Sequence, residues 1–227
     1  MIKKINLLEK YSGSSPLFPL PNFVMFPVVG NEFIIFEPRY KEMVKNIIEN
    51  EKFITITLLK QGWENNYENS PEIYKIGTLC YLTNFEHNKN GNYKITLLGL
   101  EKVEINETEQ TKSFRIAATT SMKEMISIVD EREKCKVLLD KFLNLVNNID
   151  DSINFNLFSD IEIKLEMLVN LISMAMKIPG EEKQKLLELP EINLRYEVLL
   201  QFIDSEININ KEIINSIPMI PFDDSIN

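Results

Sequence analysis

The chain has 227 residues, 44% of them hydrophobic and 26% charged, with a formal net charge of -9. These are the proportions of an ordinary soluble globular protein, long enough for one large domain or two small ones. Residues 1–120 carry 14 Lys and Arg against 14 Asp and Glu, while residues 121–227 carry 11 against 20; neither half has the basic stripe that phosphate contacts need, so no nucleic-acid partner is expected.

Cys80 and Cys135 are the two cysteines. Their spacing matches neither a metal site nor a redox motif, and one pair in so long a chain is no disulfide framework. The opening MIKKINLLEKYS is too polar for a signal-peptide core. Leu165 to Ile178 is the longest apolar stretch, but Glu166, Asn170 and Lys177 interrupt it and it is too short to span a bilayer. A cytoplasmic, soluble protein is expected, with no membrane partner.

In chain order, residues 1–15 read as a loosely held arm. From Pro16 to Met43, PLFPLPNFVMFPVVGNEFIIFEPRYKEM, the prolines Pro16, Pro19, Pro21 and Pro27 cut the chain into short extended pieces. Phe33 to Phe36 is a short apolar strand. Pro38 suits the first position of a helix that presents Tyr40, Met43, Val44, Ile47 and Ile48 on one face. Phe53 to Leu59 is rich in β-branched residues, as a strand should be. Gln61 to Pro71 is a long polar loop around Trp63 and Tyr67. Ile73 to Phe85, Tyr93 to Leu98, Lys102 to Ile105 and Phe114 to Thr119 read as further strands, with Asn90-Gly91 a hairpin turn.

From about Ser121 the apolar period becomes helical: Val137, Leu138, Phe142, Leu145 and Val146, then Ile161, Leu165, Leu168, Val169, Ile172 and Met176. Ile178-Pro179-Gly180 is expected to end that second helix. Glu181 to Leu189 and Pro190 to Ile203 read as two more. The segment from Ser216, SIPMIPFDDSIN, is proline-broken and expected to be mobile or draped on the surface. Glycine usage marks the same division, since six of the seven glycines lie at or before Gly99.

The residues Phe18-Pro19-Leu20-Pro21, Phe26-Pro27 and Ile35-Phe36-Glu37-Pro38-Arg39-Tyr40-Lys41-Glu42-Met43 stand at the spacing of a known signature. It resembles the N-terminal, substrate-binding domain of the Lon family of ATP-dependent proteases. Gly77-Thr78, the turn Lys89 to Asn92, and Ile95 to Ile105 around Gly99 add to the likeness, which covers roughly residues 16 to 203. Two positions depart from the pattern: Val28 stands where the family commonly has glycine, and Glu32 where it has proline. The resemblance implies a stand-alone member lacking the ATPase and protease domains. It also implies an α+β fold, with an N-terminal PUA-like mixed β pseudobarrel holding one early helix and a C-terminal α-helical bundle after it. The expected divisions are a 1–15 arm, a 16–120 Lon N-terminal-like β-rich domain, a 121–215 helical bundle and a 216–227 tail.

No Gly-x-x-x-x-Gly-Lys-Ser/Thr segment occurs in the sequence, and His87, its sole histidine, lies in a polar hairpin beside no serine. No catalytic residue, metal ligand or cofactor is expected. Glu37 and Arg39 could be an acid–base pair, but a carboxylate at a helix N-terminus and a guanidinium tying that end to a strand favour a structural role. Phe36, Glu37, Pro38, Arg39 and Tyr40 are therefore taken as a structural motif. Trp63 and Tyr67 either fold back onto the sheets or anchor a partner. The candidates for a surface patch are Phe23, Met25, Phe33 and Trp63.

The expected function is a non-catalytic module that holds apolar or unfolded segments of partner proteins by hydrophobic contact and β-edge pairing. The alternatives are a PUA-like sensor of a small ligand or RNA, and an accessory subunit or adaptor of a separate Lon-type, ATP-dependent protease. A protease in its own right is a further reading, for which casein degradation is expected to be nil.

Overall fold

The strand that opens the fold, β1 (Ser14–Leu20), accommodates Pro16 and Pro19 because its neighbours meet it only in part: Ser14 to Pro16 pair antiparallel with one strand, and Leu17 to Leu20 pair parallel with another. A computed structural model describes residues 7–67, 70–108, 112–125, 130–147 and 163–216, with only the backbone for 147 and 208–216. Five further strands follow: β2 (Gly30–Ile35), β3 (Phe53–Leu58), β4 (Ile76–His87), β5 (Tyr93–Glu107) and β6 (Ile116–Ser121). They form one mixed sheet in the order β2-β5-β4-β3-β1-β6.

The long strand β5 organises this sheet. One of its edges pairs with β4 from Tyr93 to Glu104. The other pairs with β2 over Tyr93 to Leu98 and with β6 over Val103 to Glu107. The path from β5 through β4, β3, β1 and β6 thus returns to β5, and β2 is left outside the circuit as an edge strand. Sequence reasoning had divided β5 at Gly99. The strand is continuous, with an irregular register where Cys80 faces Gly99 and Leu79 faces Glu101. A Cβ at Gly99 would lie 2.3 Å from the Phe26 carbonyl oxygen, so glycine there lets the proline-rich loop lie against the strand.

The early helix α1 (Pro38–Glu49) begins with proline and buries Tyr40, Met43, Val44 and Ile47, the face its apolar spacing predicted. Every residue of β3 is buried, consistent with its β-branched run between two neighbouring strands. A 3-10 turn (Trp63–Asn66) forms inside the long polar loop. At the β4–β5 hairpin, Gly91 takes φ +73, and Asn88 N–H donates to the Asn92 carbonyl at 2.8 Å.

Four helices follow: α2 (Glu131–Asn147), α3 (Leu165–Ala175), α4 (Gly180–Glu188) and α5 (Ile192–Ser216). The Glu131 carboxylate accepts the Leu165 N–H at 2.9 Å, satisfying a donor that the first turn of α3 would otherwise leave open. Ile161, Glu162 and the chain after Ser216 lie outside the described residues. Gly180 was expected to end a helix, but it starts α4. A Cβ there would meet Asn22 Cα at 2.9 Å, so the helix start packs directly on the proline loop.

The sheet and the helices share one apolar cluster. Val24, Phe26, Val29 and Leu58 lie in it with Leu168, Ile172, Leu186 and Leu199. Beside it sits a buried polar knot centred on Arg195, which is 0% exposed. Its guanidinium donates to the Leu186 carbonyl at 2.7 Å, Asn170 Oδ1 at 2.6 Å and the Leu187 carbonyl at 3.1 Å, and it pairs with Glu124. Lys102 joins Glu124 at 3.1 Å, and Asn170 Nδ2 donates to the Pro27 carbonyl at 3.1 Å. Strand β5, the proline loop and three helices thereby meet at one point.

The arm expected over residues 1–15 is corrected for its described part. Leu7 is 7% exposed, and the Tyr11 ring packs on Phe53 at 4.9 Å with its hydroxyl 2.7 Å from Thr119 Oγ1. An apolar side chain and an aromatic anchor hold the segment down, and β1 begins at Ser14, inside it.

Candidate peptide-binding edge

Period-two alternation along β2 decides what this edge presents. Ile35 points inward and is 2% exposed, while Ile34 and Phe36, on the opposite face, are each 65% exposed. Inward with Ile35 goes Phe33, half-buried against Phe18 at 5.7 Å and Phe23 at 5.3 Å. Phe18 in turn meets Tyr40 of α1 at 4.9 Å, edge to face. This aromatic chain fixes the inner face of β2 and leaves two large apolar side chains side by side in solvent. On the outer face Glu32 pairs with Lys94 of β5 at 3.1 Å, an exposed contact worth little stability.

Of the four patch candidates, Phe23 and Phe33 meet at this edge. Met25 does not: it is 1% exposed, with its carbonyl accepting the Thr78 hydroxyl at 2.6 Å. Its expected surface role is corrected, because the loop turns its side chain into the core beside Ile54 and Ile56. Trp63 stacks edge-on with Tyr67 at 5.5 Å and packs against a different cluster, around Leu59 and Ile73. It is folded back and takes no part in the β2 edge.

The motif from Phe36 to Tyr40 divides. Phe36, grouped with the structural residues, is exposed, because it continues the outward phase of Ile34. Arg39 pairs with Glu37 at 3.0 Å and donates to the Tyr67 carbonyl at 3.2 Å; Tyr67 donates its hydroxyl to Glu37 at 2.6 Å. The guanidinium also lies over the rings of Tyr40 and Tyr67, at 4.8 and 4.5 Å. It ties the helix start to the loop after the 3-10 turn, not to a strand. Burial drives the Tyr40 phenol well above its ordinary range.

Sequence reasoning missed Ile34 and Phe36. The signal was present: once Ile35 is assigned to the core, its neighbours on both sides must face out.

Little chemistry accompanies this edge. Among the described residues no three His, Cys, Asp or Glu side chains come together to hold a metal, and no helix is long and apolar enough to cross a membrane. His87 packs on Tyr93 at 4.7 Å. Cys80 is fully buried, and desolvation pushes its thiol far up, the opposite of what a nucleophile needs.

Comparison with known proteins agrees with this architecture. Residues 14–205 match the profile of the ATP-dependent protease La (LON) substrate-binding domain. The chain belongs to that family. Among curated relatives, the Lon protease of Orientia tsutsugamushi (strain Ikeda) is 26% identical over 202 residues, covering 85% of this chain and 25% of the relative. The Lon protease of Malacoplasma penetrans (strain HF-2) is 31% identical over 153 residues, 61% of this chain and 19% of the relative. The chain thus spans about a quarter or less of the length of the curated relatives it matches.

Solved structures share the fold. The N-terminal domain of the Mycobacterium avium complex Lon protease superposes with a TM-score of 0.60 at 14% identity, covering 84% of this chain and 98% of that one. A Lon N-terminal domain protein from Xanthomonas campestris gives 0.59 at 17% identity, with 83% and 97% covered. The family that matches is a substrate-binding domain.

Proposed function

We propose that this chain is a substrate-recognition module that holds extended apolar segments of client proteins at the β2 edge and breaks no bond itself. One observation carries the reading: in a chain of a substrate-binding family, Ile34 and Phe36 stand together in solvent on an edge strand. Large apolar side chains grouped in solvent, unlike singly scattered ones, favour an interaction surface. The half-buried rings of Phe23 and Phe33 extend the apolar surface on the inner side. In this reading the strand circuit is the PUA-like pseudobarrel of residues 16–120, and α2 to α5 are a helical bundle over 121–215 that braces it. The clients are unfolded or apolar protein segments, and a Lon-type protease is the partner that receives them.

Affinity is modest, because a small apolar surface must offset the ordering of a flexible chain. Titrating an unfolded polypeptide into isotope-labelled protein tests the reading. Amide shifts should move at Ile34 to Phe36 and at Phe23. A spectrum unchanged at millimolar polypeptide would remove the proposal.

A further inference from the structure

We infer that the client binds as an added strand on the open edge of β2, and that the preferred segment is apolar and flanked by Lys or Arg. This rests on the reading above and adds the binding mode and the charge of the ligand. Strand β2 ends the strand order, and its ladder is made with β5 alone. Among the described residues no backbone hydrogen bond outside that ladder involves Gly30 to Phe36, and one side-chain bond touches its main chain, from Asn31 Nδ2 to the Glu32 carbonyl at 3.1 Å. Among the described residues no other main chain pairs with the groups facing away from β5, and an incoming main chain could do so.

Natural sheets protect such edges with prolines, lysines, bulges or a covering element. GNEFII has no proline or lysine and a single charge, Glu32, which pairs with Lys94 of β5, and its register with β5 runs unbroken from Gly30 to Ile35. The sheet has a second open edge, on β4 beyond Tyr81, where the pairing with β3 stops. That one is the better guarded: its register is irregular between Leu82 and Asn84, and around the exposed Phe85 it carries Asn84, Glu86 and His87. The contrast selects β2.

An added strand would point alternate side chains to the two faces of the sheet. On one face they would meet Ile34 and Phe36, and on the other Phe33 and Phe23, so both phases of the client must be apolar. The outer face also carries Glu32 and Glu86 against Lys94, one negative charge in excess, and the cross-strand register places Lys94 between them. Acidic flanks on the client would be repelled there and basic ones attracted. A second copy of this chain is the poorer occupant, since two exposed side chains per subunit fall far short of the roughly 1,200 Å² that stable interfaces bury.

The test uses the full chain and three acetylated, amidated peptides: KVFVLVK, the same peptide N-methylated at its interior residues, and EVFVLVE. KVFVLVK should bind, and N-methylation should weaken it by about tenfold or more, the cost of two or three main-chain hydrogen bonds. The acidic peptide should bind roughly threefold more weakly at low salt, with the gap closing as salt rises. Hydrogen exchange should slow at alternate amides of Gly30 to Ile35 when KVFVLVK is present. Equal binding by the methylated peptide, or binding without protection in β2, would overturn strand addition while leaving apolar recognition standing. Tighter binding of EVFVLVE would overturn the charge preference. Failure of all three peptides to bind removes both this inference and the function it rests on. A concentration-dependent dimer that protects β2 without peptide would also overturn it.

Discussion

Replacing Arg195 by methionine should cost about 3–5 kcal/mol of folding stability, the usual loss when one partner of a buried ion pair is removed. Methionine keeps an unbranched apolar stem like that of arginine but is shorter and supplies no donor. The Leu186 and Leu187 carbonyls at the end of α4 and Asn170 Oδ1 on α3 then lose the guanidinium at once, and Glu124 loses one of its two cations. Glu124 keeps Lys102, so one carboxylate partner survives and the loss should not exceed that range. At roughly 2–4 °C per kcal/mol for a chain of this size, the melting temperature should fall by roughly 6–20 °C. Urea unfolding followed by tryptophan fluorescence and circular dichroism would measure it, the two signals reporting the sheet side and the helices respectively. In wild type the two should coincide, because the knot and the shared apolar cluster couple the layers. A loss below about 1 kcal/mol would refute the reasoning, as it would show that water replaces the guanidinium freely.

Three further outcomes follow from single residues. Val28 holds φ +59, a conformation costing a β-branched residue about 1–2 kcal/mol, so Val28→Gly should raise stability by roughly 0.5–1 kcal/mol after glycine's own entropy cost; a loss above about 1 kcal/mol in calorimetry would contradict this. Arg39→Ala removes the brace between the start of α1 and the Tyr67 loop and should lower stability by about 1 kcal/mol, with peptide affinity changed less than twofold; the reverse pattern would make Arg39 a binding residue. Burial keeps the Cys80 thiol protonated in the fold while the unfolded thiol ionises above about pH 8.5, so the unfolded state binds fewer protons and stability falls as pH rises. The slope from this group rises towards its limit of about 1.4 kcal/mol per pH unit as the unfolded thiol becomes fully ionised near pH 10, and Cys80→Ala should remove it; an unchanged slope would place its origin elsewhere.

Much of the fold was legible because its signals are local. Prolines 16, 19 and 21 demanded an extended opening, Pro38 a helix start, and Asn90-Gly91 a hairpin, and each is where its backbone chemistry required. What was not legible depends on tertiary neighbours. Gly99 read as a strand break because its true reason, the approach of Phe26, lies far away in sequence. Met25 and Phe33 could not be sorted by side until the phase of the strand was known. Arg195 sits on the same helical face as Ile192, Tyr196 and Leu199, where a charge needs buried partners; those partners come from α3, α4 and the segment after β6. At the candidate edge the alternation was written in the sequence, yet only the burial of Ile35 fixed which residues face out.

The binding of a fluorescent KVFVLVK peptide to the wild-type chain and to an Ile34→Glu/Phe36→Glu variant tests the central claim most directly. Both side chains lie in solvent, so the variant should keep the wild-type melting temperature within a few degrees, as surface substitutions usually do. The account predicts that the variant binds about tenfold more weakly or not at all, from the loss of two apolar contacts. Equal affinity in a folded variant would contradict it and move the site off β2.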